Sequence, residues 1–384
     1  MSTAAHVTHT ERLANARRVV VKIGSALFVD QQTGALDRPW LEGVCADVAE
    51  LRRAGKDVVI VSSGAVALGR GELKLARRLR LEESQATAAV GQILLAHAYQ
   101  EILRDLGLTT AQVLLTLDDS ERRERYLNAS KTLLTLLSYG AVPVINENDT
   151  VATQELRYGD NDRLAARVAQ MISAECLVLL SDVDGLYTAD PRRDANARYV
   201  DEVTELTREF YDMAGGPGST HGSGGMRTKL EAARIAVGAG CRMCIAPGRV
   251  ARPISVLLAG GKATWFLPSA TPGAARKQWI AGTLKPRGTL RVDAGAERAL
   301  AAGRSLLPAG VTTVEGPFGR GDAVSVAGPD GREIARGLCA YPADEAVLIA
   351  GRRSGDIQEI LGYSGGDEII HRDDLVITSA KQPS

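Results

Sequence analysis

The sequence predicts an α/β protein with a mostly parallel sheet sandwiched by helices, followed by a small, mostly β module. Three observations lead to this prediction. Short strands that are apolar throughout alternate with helical stretches, which is typical of parallel sheets covered on both faces. A glycine or a polar residue follows each of these strands. Beyond about residue 285 the segments become short and β-like, and turn signals separate them.

The first part of the chain contains six predicted strands with helices between them. The strands are 18–23, 57–61, 112–117, 142–145, 176–180 and 241–245, and the helices are 40–54, 84–106, 122–138, a stretch that begins at Asp160, and 226–237. Parallel strands end at one edge of their sheet, and open α/β sheets bind ligands at that edge. The residues expected to meet there are Gly24, Ser25, Ser63, Gly64, 146–149, Ser181 and Asp182.

Composition and charge exclude several classes of protein. Lys+Arg and Asp+Glu both number 46 among the 384 residues, so no global field draws the protein to nucleic acid or to an anionic membrane. No apolar run approaches the 18 residues that indicate a membrane-spanning helix. Five cysteines and the absence of a secretory signal favour reduced thiols and a cytoplasmic location. Cys241 and Cys244 lie in a predicted strand, which argues against a redox pair or a zinc site.

The same patterns divide the chain into four segments. We expect residues 1–16 to be a flexible N-terminus and residues 17–267 to form the α/β domain. Residues 268–284 are rich in Pro, Ala, Thr and basic side chains and are interpreted as a linker. Residues 285–384 form the β module, with strands predicted at 289–292, 311–315, 323–326 and 334–341.

A cluster of carboxylates and amides stands between the strand at 142–145 and the next helix. Each of these residues alone is typical of a turn or a helix cap. Their concentration at the end of a buried strand favours a binding site instead. The cluster comprises Asn146, Glu147, Asn148, Asp149, Gly159, Asp160, Asn161 and Asp162.

Two lysines and a glycine-rich segment indicate phosphate chemistry. The glycines of 215–225 precede a predicted helix with Lys229 in its first turn, and Lys22 lies at the tip of the first strand. Backbone N–H groups and a helix N-terminus bind anions, although a glycine-rich loop alone is weak evidence. In phosphoryl transfer, Lys22 and Lys229 would neutralise charge, Mg²⁺ would bridge phosphate oxygens, and Asp162 would hold the lysines. A carboxylate nucleophile suits this site because it is already ionised at neutral pH.

Six motifs together resemble the amino acid kinase family. They are Val20-Val21-Lys22-Ile23-Gly24-Ser25, Val61-Ser62-Ser63-Gly64-Ala65, Pro143-Val144-Ile145-Asn146-Glu147-Asn148-Asp149, Gly159-Asp160-Asn161-Asp162, Asp184-Gly185-Leu186-Tyr187-Thr188-Ala189-Asp190-Pro191 and Gly224-Gly225-Met226-Arg227-Thr228-Lys229. They are most similar to the members that phosphorylate the side-chain carboxylate of L-glutamate with ATP in proline synthesis. The tail resembles a PUA domain through Gly303 to Gly310, Phe318-Gly319-Arg320-Gly321-Asp322 and Ile360-Leu361-Gly362-Tyr363.

The resemblance implies a role for each matching residue. Ser63, Asp149 and Asn161 would hold L-glutamate. Lys22 and Lys229 would neutralise the transferring phosphoryl group, and Asp162 would organise both lysines. The residues implied in ATP binding are Lys22, Ser181, Asp182, Ser223, Gly224, Gly225, Met226, Arg227, Thr228 and Lys229. Arg227 occupies a variable place in the motif, and no residue is assigned as a metal ligand.

The resemblance also implies partners. Proline would inhibit through a site that overlaps the glutamate site, with a contribution from residues 126–131. We further expect a homo-oligomer and transfer of the product to a glutamyl phosphate reductase. Two rival functions stay open: a related kinase acting on another acid or a nucleoside monophosphate, and an RNA-binding or RNA-modifying protein. Residues 285–384 carry 12 Lys+Arg against 14 Asp+Glu, a net charge of −2, which argues against RNA binding.

Overall fold

The computed structural model describes residues 9–30, 32–75, 79–151, 160–192, 194–214, 225–283, 285–363 and 365–378. Within these residues the chain forms two compact units, Met1–Pro272 and Gly273–Ser384. Each unit has its own buried core.

The first unit is built on an eight-stranded sheet in the order β3-β4-β2-β1-β5-β9-β10-β8. Neighbouring strands from β3 to β9 run parallel, and only the β9–β10 pair is antiparallel. The strands of this unit, including the separate β6–β7 hairpin, are β1 (Arg18–Ile23), β2 (Asp57–Ser62), β3 (Thr110–Leu115), β4 (Val142–Glu147), β5 (Cys176–Ser181), β6 (Leu186–Tyr187), β7 (Tyr199–Val200), β8 (Glu202–Val203), β9 (Arg242–Pro247) and β10 (Thr264–Phe266). The predicted fold class is therefore confirmed for this unit.

Helices cover both faces of this sheet. They are α1 (His9–Ala14), α2 (Arg38–Arg53), α3 (Ala65–Glu72), α4 (Leu81–Asp105), α5 (Leu117–Glu121), α6 (Arg123–Ser138), α7 (Asp160–Met171), α8 (Arg208–Met213), α9 (Met226–Gly238) and α10 (Pro253–Leu258). Alternation along β1 separates the two cores: Val19 and Val21 pack with α2 and α4, whereas Val20 packs with α6, α7 and α9. The same alternation places Lys22 on the face covered by α7 and α9.

Residues 9–16 of the predicted flexible N-terminus are ordered, which corrects that prediction for them. Leu13 and Ala16 are 0% and 1% exposed. Arg12 forms a 2.5 Å ion pair with Glu202, and its guanidinium lies 5.7 Å from the centre of the Trp265 ring. Helix α1 has only six residues, so its periodicity was too short to recognise, and tertiary contacts hold it in place.

The second unit contains a five-stranded sheet in the order β12-β11-β13-β14-β15. Its elements are α11 (Pro272–Thr283), β11 (Gly288–Val292), α12 (Ala294–Ala301), β12 (Val311–Glu315), β13 (Ala323–Ala327), β14 (Glu333–Leu338), α13 (Ala343–Ile349), α14 (Ile357–Leu361) and β15 (Leu375–Ile377). Only the β11–β13 pair is parallel. The small β module is thus confirmed, with more helix than its sequence indicated.

The predicted linker, residues 268–284, is mostly helix. Helix α11 begins at Pro272, which suits the first helical position because its missing N–H has no partner there. Arg276 of this helix forms an ion pair with Asp374 of the same unit. The division between the two units lies within the predicted stretch, but α11 replaces an irregular connection.

Candidate active site

The carboxyl ends of four neighbouring parallel strands meet at one edge of the large sheet. In the ladder, Lys22 of β1 lies beside Val61 of β2 and Leu179 of β5. Strand β4 pairs with the other side of β2. The polar residues that follow β1, β2, β4 and β5 therefore lie along the same edge, as their positions in the sequence predicted.

Three charged side chains from separate elements form a buried cluster at this edge, which we call the charge triad: Lys22, Asp162 and Lys229. The Nζ of Lys22 is 2.5 Å from Asp162 Oδ1, and the Nζ of Lys229 is 2.9 Å from Asp162 Oδ2. Asp162 is 1% exposed, Lys22 6% and Lys229 9%. One carboxylate thus holds two ammonium groups that lie more than 200 positions apart in the sequence.

Burial and charge set the ionisation of the charge triad. Burial on its own raises the pKa of Asp162, but the two neighbouring ammonium groups outweigh it and hold that pKa below its usual value. Burial lowers the pKa of Lys22; the carboxylate of Asp162 opposes this change, and Lys229 adds to it. With all three groups ionised, the triad carries one positive charge in excess. A buried excess charge is costly, so an anion bound beside it would be stabilised.

The loop after β1 leaves space in front of Lys22. A Cβ atom added to Gly24 would lie 3.7 Å from Lys22 Nζ, so a larger side chain there would enter the space beside the ammonium. Ser63, at the end of β2, fixes this loop because its Oγ donates to the carbonyl of Ile23 and accepts from the N–H of Ser25. Ser63 is half-buried, and the structure places it next to the residues that follow Lys22.

Asp149 and Asn161 lie on the two sides of a segment that is outside the described residues. Asp149, two positions after β4, is 8% exposed, and burial raises its pKa to about 6. Asn161 lies in the first turn of α7, one residue before Asp162. Its buried Oδ1 has no hydrogen-bond partner among the described residues. The Asn161 Oδ1 is therefore available for a polar ligand.

The predicted ATP-binding residues are described only in part. Ser181 ends β5 and is buried, and its Oγ lies 3.2 Å from Asp182 Oδ1. A Cβ added to Gly225, the residue before α9, would meet no atom within 4 Å, so open space adjoins it. Thr228 Oγ1 donates to the Gly225 carbonyl 3.0 Å away. Ser223 and Gly224 lie outside the described residues, as do Gly159 and most of the glycine-rich segment.

Met226 and Arg227, two other residues of the predicted loop, have side chains that do not join the charge triad. Arg227 is exposed and its Nε lies 3.7 Å from Glu231 of the same helix. Met226 is half-buried and packs against the core beneath α9. Neither side chain contacts the charge triad in the contacts that the structure gives.

Family models match both units of the chain. The model of the amino acid kinase family matches residues 17–247, and that of the PUA domain matches residues 288–361. The chain belongs to the amino acid kinase family. The PUA match lies within the second unit, as the resemblance of the tail predicted.

Three relatives within the amino acid kinase family are similar over nearly their whole length. The glutamate 5-kinase of Paramagnetospirillum magneticum is 62% identical over 365 residues, which is 95% of this chain and 99% of that protein. The enzyme of the same name from Rhodospirillum rubrum is 60% identical over 94% of this chain and 96% of its own. The glutamate 5-kinase of Rhizobium rhizogenes is 57% identical over 97% of this chain and 96% of its own length. The chain therefore groups with the glutamate 5-kinases.

The part of the amino acid kinase unit that the structure describes contains no preformed metal-binding cluster. Among the described residues, no group of three or more His, Cys, Asp or Glu side chains is arranged to hold a metal ion. Mg²⁺ that accompanies a nucleotide is usually held by phosphate oxygens, one or two carboxylates and water. Asp182, exposed at the end of β5, is a carboxylate at the predicted nucleotide site that suits this arrangement.

The cysteines lie in the buried interior of the protein. All five are buried and free. Burial raises the pKa of the Cys241 and Cys244 thiols well above the usual value, which makes the reactive thiolate scarce. Cys244 lies within β9, as predicted, whereas Cys241 immediately precedes that strand.

Asn146 was grouped with the polar cluster but was not assigned a role from the sequence. It is the fifth residue of β4, is 4% exposed and accepts from the N–H of Glu147 through Oδ1. Its Nδ2 has no hydrogen-bond partner among the described residues. The sequence signal for this residue is an amide side chain in an otherwise apolar strand, at the penultimate position of that strand.

Proposed function

We propose that the protein transfers the terminal phosphoryl group of ATP to the side-chain carboxylate of L-glutamate, the first step of proline biosynthesis. The product would be γ-glutamyl phosphate. The observation that carries this proposal is the charge triad, in which Asp162 holds two buried ammonium groups at the carboxyl edge of the sheet. The glutamate 5-kinases that are 57–62% identical to the chain supply the choice of acceptor.

The charge triad suits the electrostatics of phosphoryl transfer. Negative charge is spread over the equatorial oxygens of the transferring group, and catalysis is mainly positioning and neutralisation. Lys22 and Lys229 supply that neutralisation. Asp162 holds both ammonium groups in place before the substrates arrive, so little reorganisation is needed when the charge develops. Since the glutamate side chain ionises near pH 4.3, the nucleophile needs no general base at neutral pH.

Three residues are proposed to bind L-glutamate. The Asp149 carboxylate and the Asn161 Oδ1 are acceptors that suit the substrate ammonium. Asp149 is buried at the edge of the sheet, and the described residues leave the buried Asn161 Oδ1 without a partner. A polar atom in this state is costly until a ligand satisfies it, which supports a binding role. The Ser63 hydroxyl is hydrogen-bonded to the backbone of the loop that follows Lys22.

ATP is proposed to bind between the end of β5 and the start of α9. Ser181 and Asp182 would contact the nucleotide on one side, and the segment 223–229 would contact its phosphates on the other. Support comes from the open space beside Gly225, from Lys229 in the first turn of α9 and from the dipole of that helix. Bound Mg²⁺ would neutralise phosphate oxygens.

The remaining proposals concern the setting of the reaction. Proline is proposed to inhibit through a site that overlaps the glutamate site, to which 126–131 on α6 contribute. A homo-oligomer, a cytoplasmic location and transfer of the product to a glutamyl phosphate reductase are also proposed. Within the described part of the chain, no helix is both long and apolar enough to cross a membrane.

Trapping of the product tests the proposed function. The purified chain would be incubated with ATP, Mg²⁺, hydroxylamine and each member of a panel of acids: L-glutamate, L-aspartate and N-acetyl-L-glutamate. Hydroxylamine captures an acyl phosphate as a hydroxamate, and L-glutamate should give much the largest yield. Equal or greater yield with another acid would contradict the choice of acceptor. Absence of hydroxamate with every acid, together with ATP hydrolysis, would contradict acyl phosphate formation.

A further inference from the structure

A compact cluster of charged and aromatic side chains surrounds Lys262, outside the charge triad. The Nζ of Lys262 donates to Asp184 Oδ2 at 2.6 Å and to the Tyr187 hydroxyl at 2.8 Å. The Tyr187 hydroxyl in turn donates to Asp184 Oδ2 at 3.0 Å. The same ammonium lies 4.2 Å from the centre of the Tyr199 ring and 5.1 Å from that of Tyr187. One lysine therefore joins a carboxylate, a hydroxyl and two aromatic faces.

This cluster fixes the backbone that follows Asp182. Gly185 has φ +151°, and a Cβ there would lie 2.5 Å from the Tyr199 ring, so only glycine fits. The N–H of Leu186 donates to Thr264 Oγ1 at 2.8 Å, and that hydroxyl donates to the Val200 carbonyl at 2.6 Å. The segment from Asp184 onward is thus held against β7 and β10 by the hydrogen bonds of Thr264 and by the contact of Asp184 with Lys262.

The other end of the same turn is fixed by the large sheet. Ser181 is the last residue of β5, and its carbonyl accepts from the N–H of Gly248 at 2.7 Å. The N–H of Val183 donates to Ser181 Oγ at 3.4 Å. Only Asp182 and Val183 stand between the strand and Asp184. The position of this short turn therefore depends on β5 at one end and, at the other, on the Asp184–Lys262 contact together with the hydrogen bonds of Thr264.

We propose that Lys262 is a positioning residue that holds Ser181 and Asp182 in the conformation that binds the nucleotide. This proposal rests on the nucleotide role given above to those two residues. It also explains the motif from Asp184 to Pro191, for which the proposed mechanism has no other use. Lys262 acts through Asp184 and does not itself contact the nucleotide.

Stability alone does not account for the cluster. The Lys262 and Asp184 side chains are both 44% exposed, and ion pairs at such exposure contribute little to folding. The hydrogen bonds to Asp184 and Tyr187 raise the pKa of Lys262, so its charge persists throughout the neutral range. The expected consequence of removing the charge is therefore local freedom of the turn rather than unfolding.

The test is the substitution Lys262→Met in the full chain, which keeps the apolar stem and removes the ammonium. Displacement of a fluorescent nucleotide measures the affinity for AMP-PNP without L-glutamate. The dissociation constant should rise about fivefold, a size consistent with loss of a cation–π contact and its hydrogen bonds. The KM for ATP should rise in parallel, whereas kcat and the KM for L-glutamate should stay within about twofold. Lys262→Arg, which keeps the charge, should restore most of the affinity.

Arg291→Met provides a matched control in the second unit. The Arg291–Glu315 pair has the same 2.6 Å separation and similar exposure, 46% and 47%. This variant should leave nucleotide affinity unchanged. An unchanged dissociation constant in Lys262→Met would overturn the proposal, and so would equal losses in kcat and in both KM values accompanied by a lower Tm. The binding assay needs no acceptor acid. The expected rise in the dissociation constant of Lys262→Met for AMP-PNP would therefore support the proposal even if L-glutamate were not the substrate.

Discussion

Single residues decide the chemistry proposed for this site, and Lys229 tests the charge triad directly. Lys229→Ala should lower kcat by about 10²–10³, the effect of losing one donor to a developing charge. Lys22 would remain paired with Asp162, so the fold should persist. Steady-state kinetics and circular dichroism measure the two effects.

The substitution Arg234→Ala is the control for Lys229→Ala. Arg234 lies on the same helix but is exposed and outside the proposed site, so kcat should change by less than about threefold, as for most surface sites. A folded Lys229→Ala variant with near-normal kcat would remove this lysine from the mechanism.

The pH dependence of glutamate use should follow Asp149. Burial raises its pKa to about 6, so the carboxyl loses its negative charge as the pH falls through that value. A neutral carboxyl attracts the substrate ammonium less strongly. We expect kcat/KM for L-glutamate to be constant above pH 7 and to fall below about pH 6, approaching tenfold per pH unit, since this ratio reports ionisation of the free enzyme.

A profile of kcat/KM for L-glutamate between pH 5 and 8 tests this prediction. Asp149→Asn removes the ionisable group and should give a low value that no longer varies between pH 5 and 7. The assignment fails if the variant keeps the acidic limb of the original protein, because another group would then be responsible for it.

At the scale of elements, the Asp162 side chain connects helix α7 to strand β1 and to helix α9, because it pairs with Lys22 and Lys229. Asp162→Asn would leave two buried ammonium groups without their counter-charge. Removing one partner of a buried ion pair costs about 3–5 kcal/mol, so the free energy of unfolding should fall by roughly that amount at pH 7. Urea denaturation followed by fluorescence measures the change.

The free energy of unfolding at acidic pH provides a second measurement that tests the Asp162 prediction. The folded-state pKa of Asp162 is lowered, so its contribution is complete above the ordinary pKa of an aspartate and is lost as the pH falls through the lowered value. The Asp162→Asn difference should therefore shrink in strong acid. The double substitution Lys22→Met, Asp162→Asn should recover part of the loss at pH 7, and no recovery would argue against charge repulsion as the cause.

The elements that the sequence predicted correctly are those whose apolar pattern is long. Strands β1, β2, β4 and β5 are nearly all buried, so continuous apolar runs marked them. Helix α3 was missed because Gly69 and Gly71 lower its helix propensity. Its crossing with α4 needs a small residue there, since a Cβ on Gly69 would lie 1.9 Å from the Thr87 carbonyl oxygen. Such a contact between distant segments leaves no local pattern.

The charge triad illustrates what the sequence contained and what it lacked. Lys22 was recognisable near the end of a strand and Lys229 in the first turn of a helix, each close to glycines. Asp162 was recognisable from its place in a dense polar cluster. The distances that join them depend on the packing of α7 and α9 on β1, which no local pattern specifies. The contacts of Lys262 are of the same kind, because its partners Asp184 and Tyr187 lie about 75 residues away in the sequence.

At the scale of the whole molecule, the two units fill their cores separately. The first unit buries two clusters, one on each face of its sheet, and the second unit buries a third. Every residue of the charge triad, and Ser63, Asp149 and Asn161 with it, lies in the first unit. The chemistry proposed here therefore requires no side chain from the second unit.

A chain that ends at Pro272 should fold and retain the proposed kinase activity, because it keeps both cores and all the proposed site residues. We expect kcat for L-glutamate within about threefold of that of the full chain, the change expected when no residue of the site is removed. Thermal unfolding and the hydroxamate assay measure the two properties. The variant Lys229→Ala, made in the truncated chain, should lose activity as it does in the full chain. A truncated protein that unfolds cooperatively yet forms no hydroxamate would show that the second unit supplies something the reaction needs.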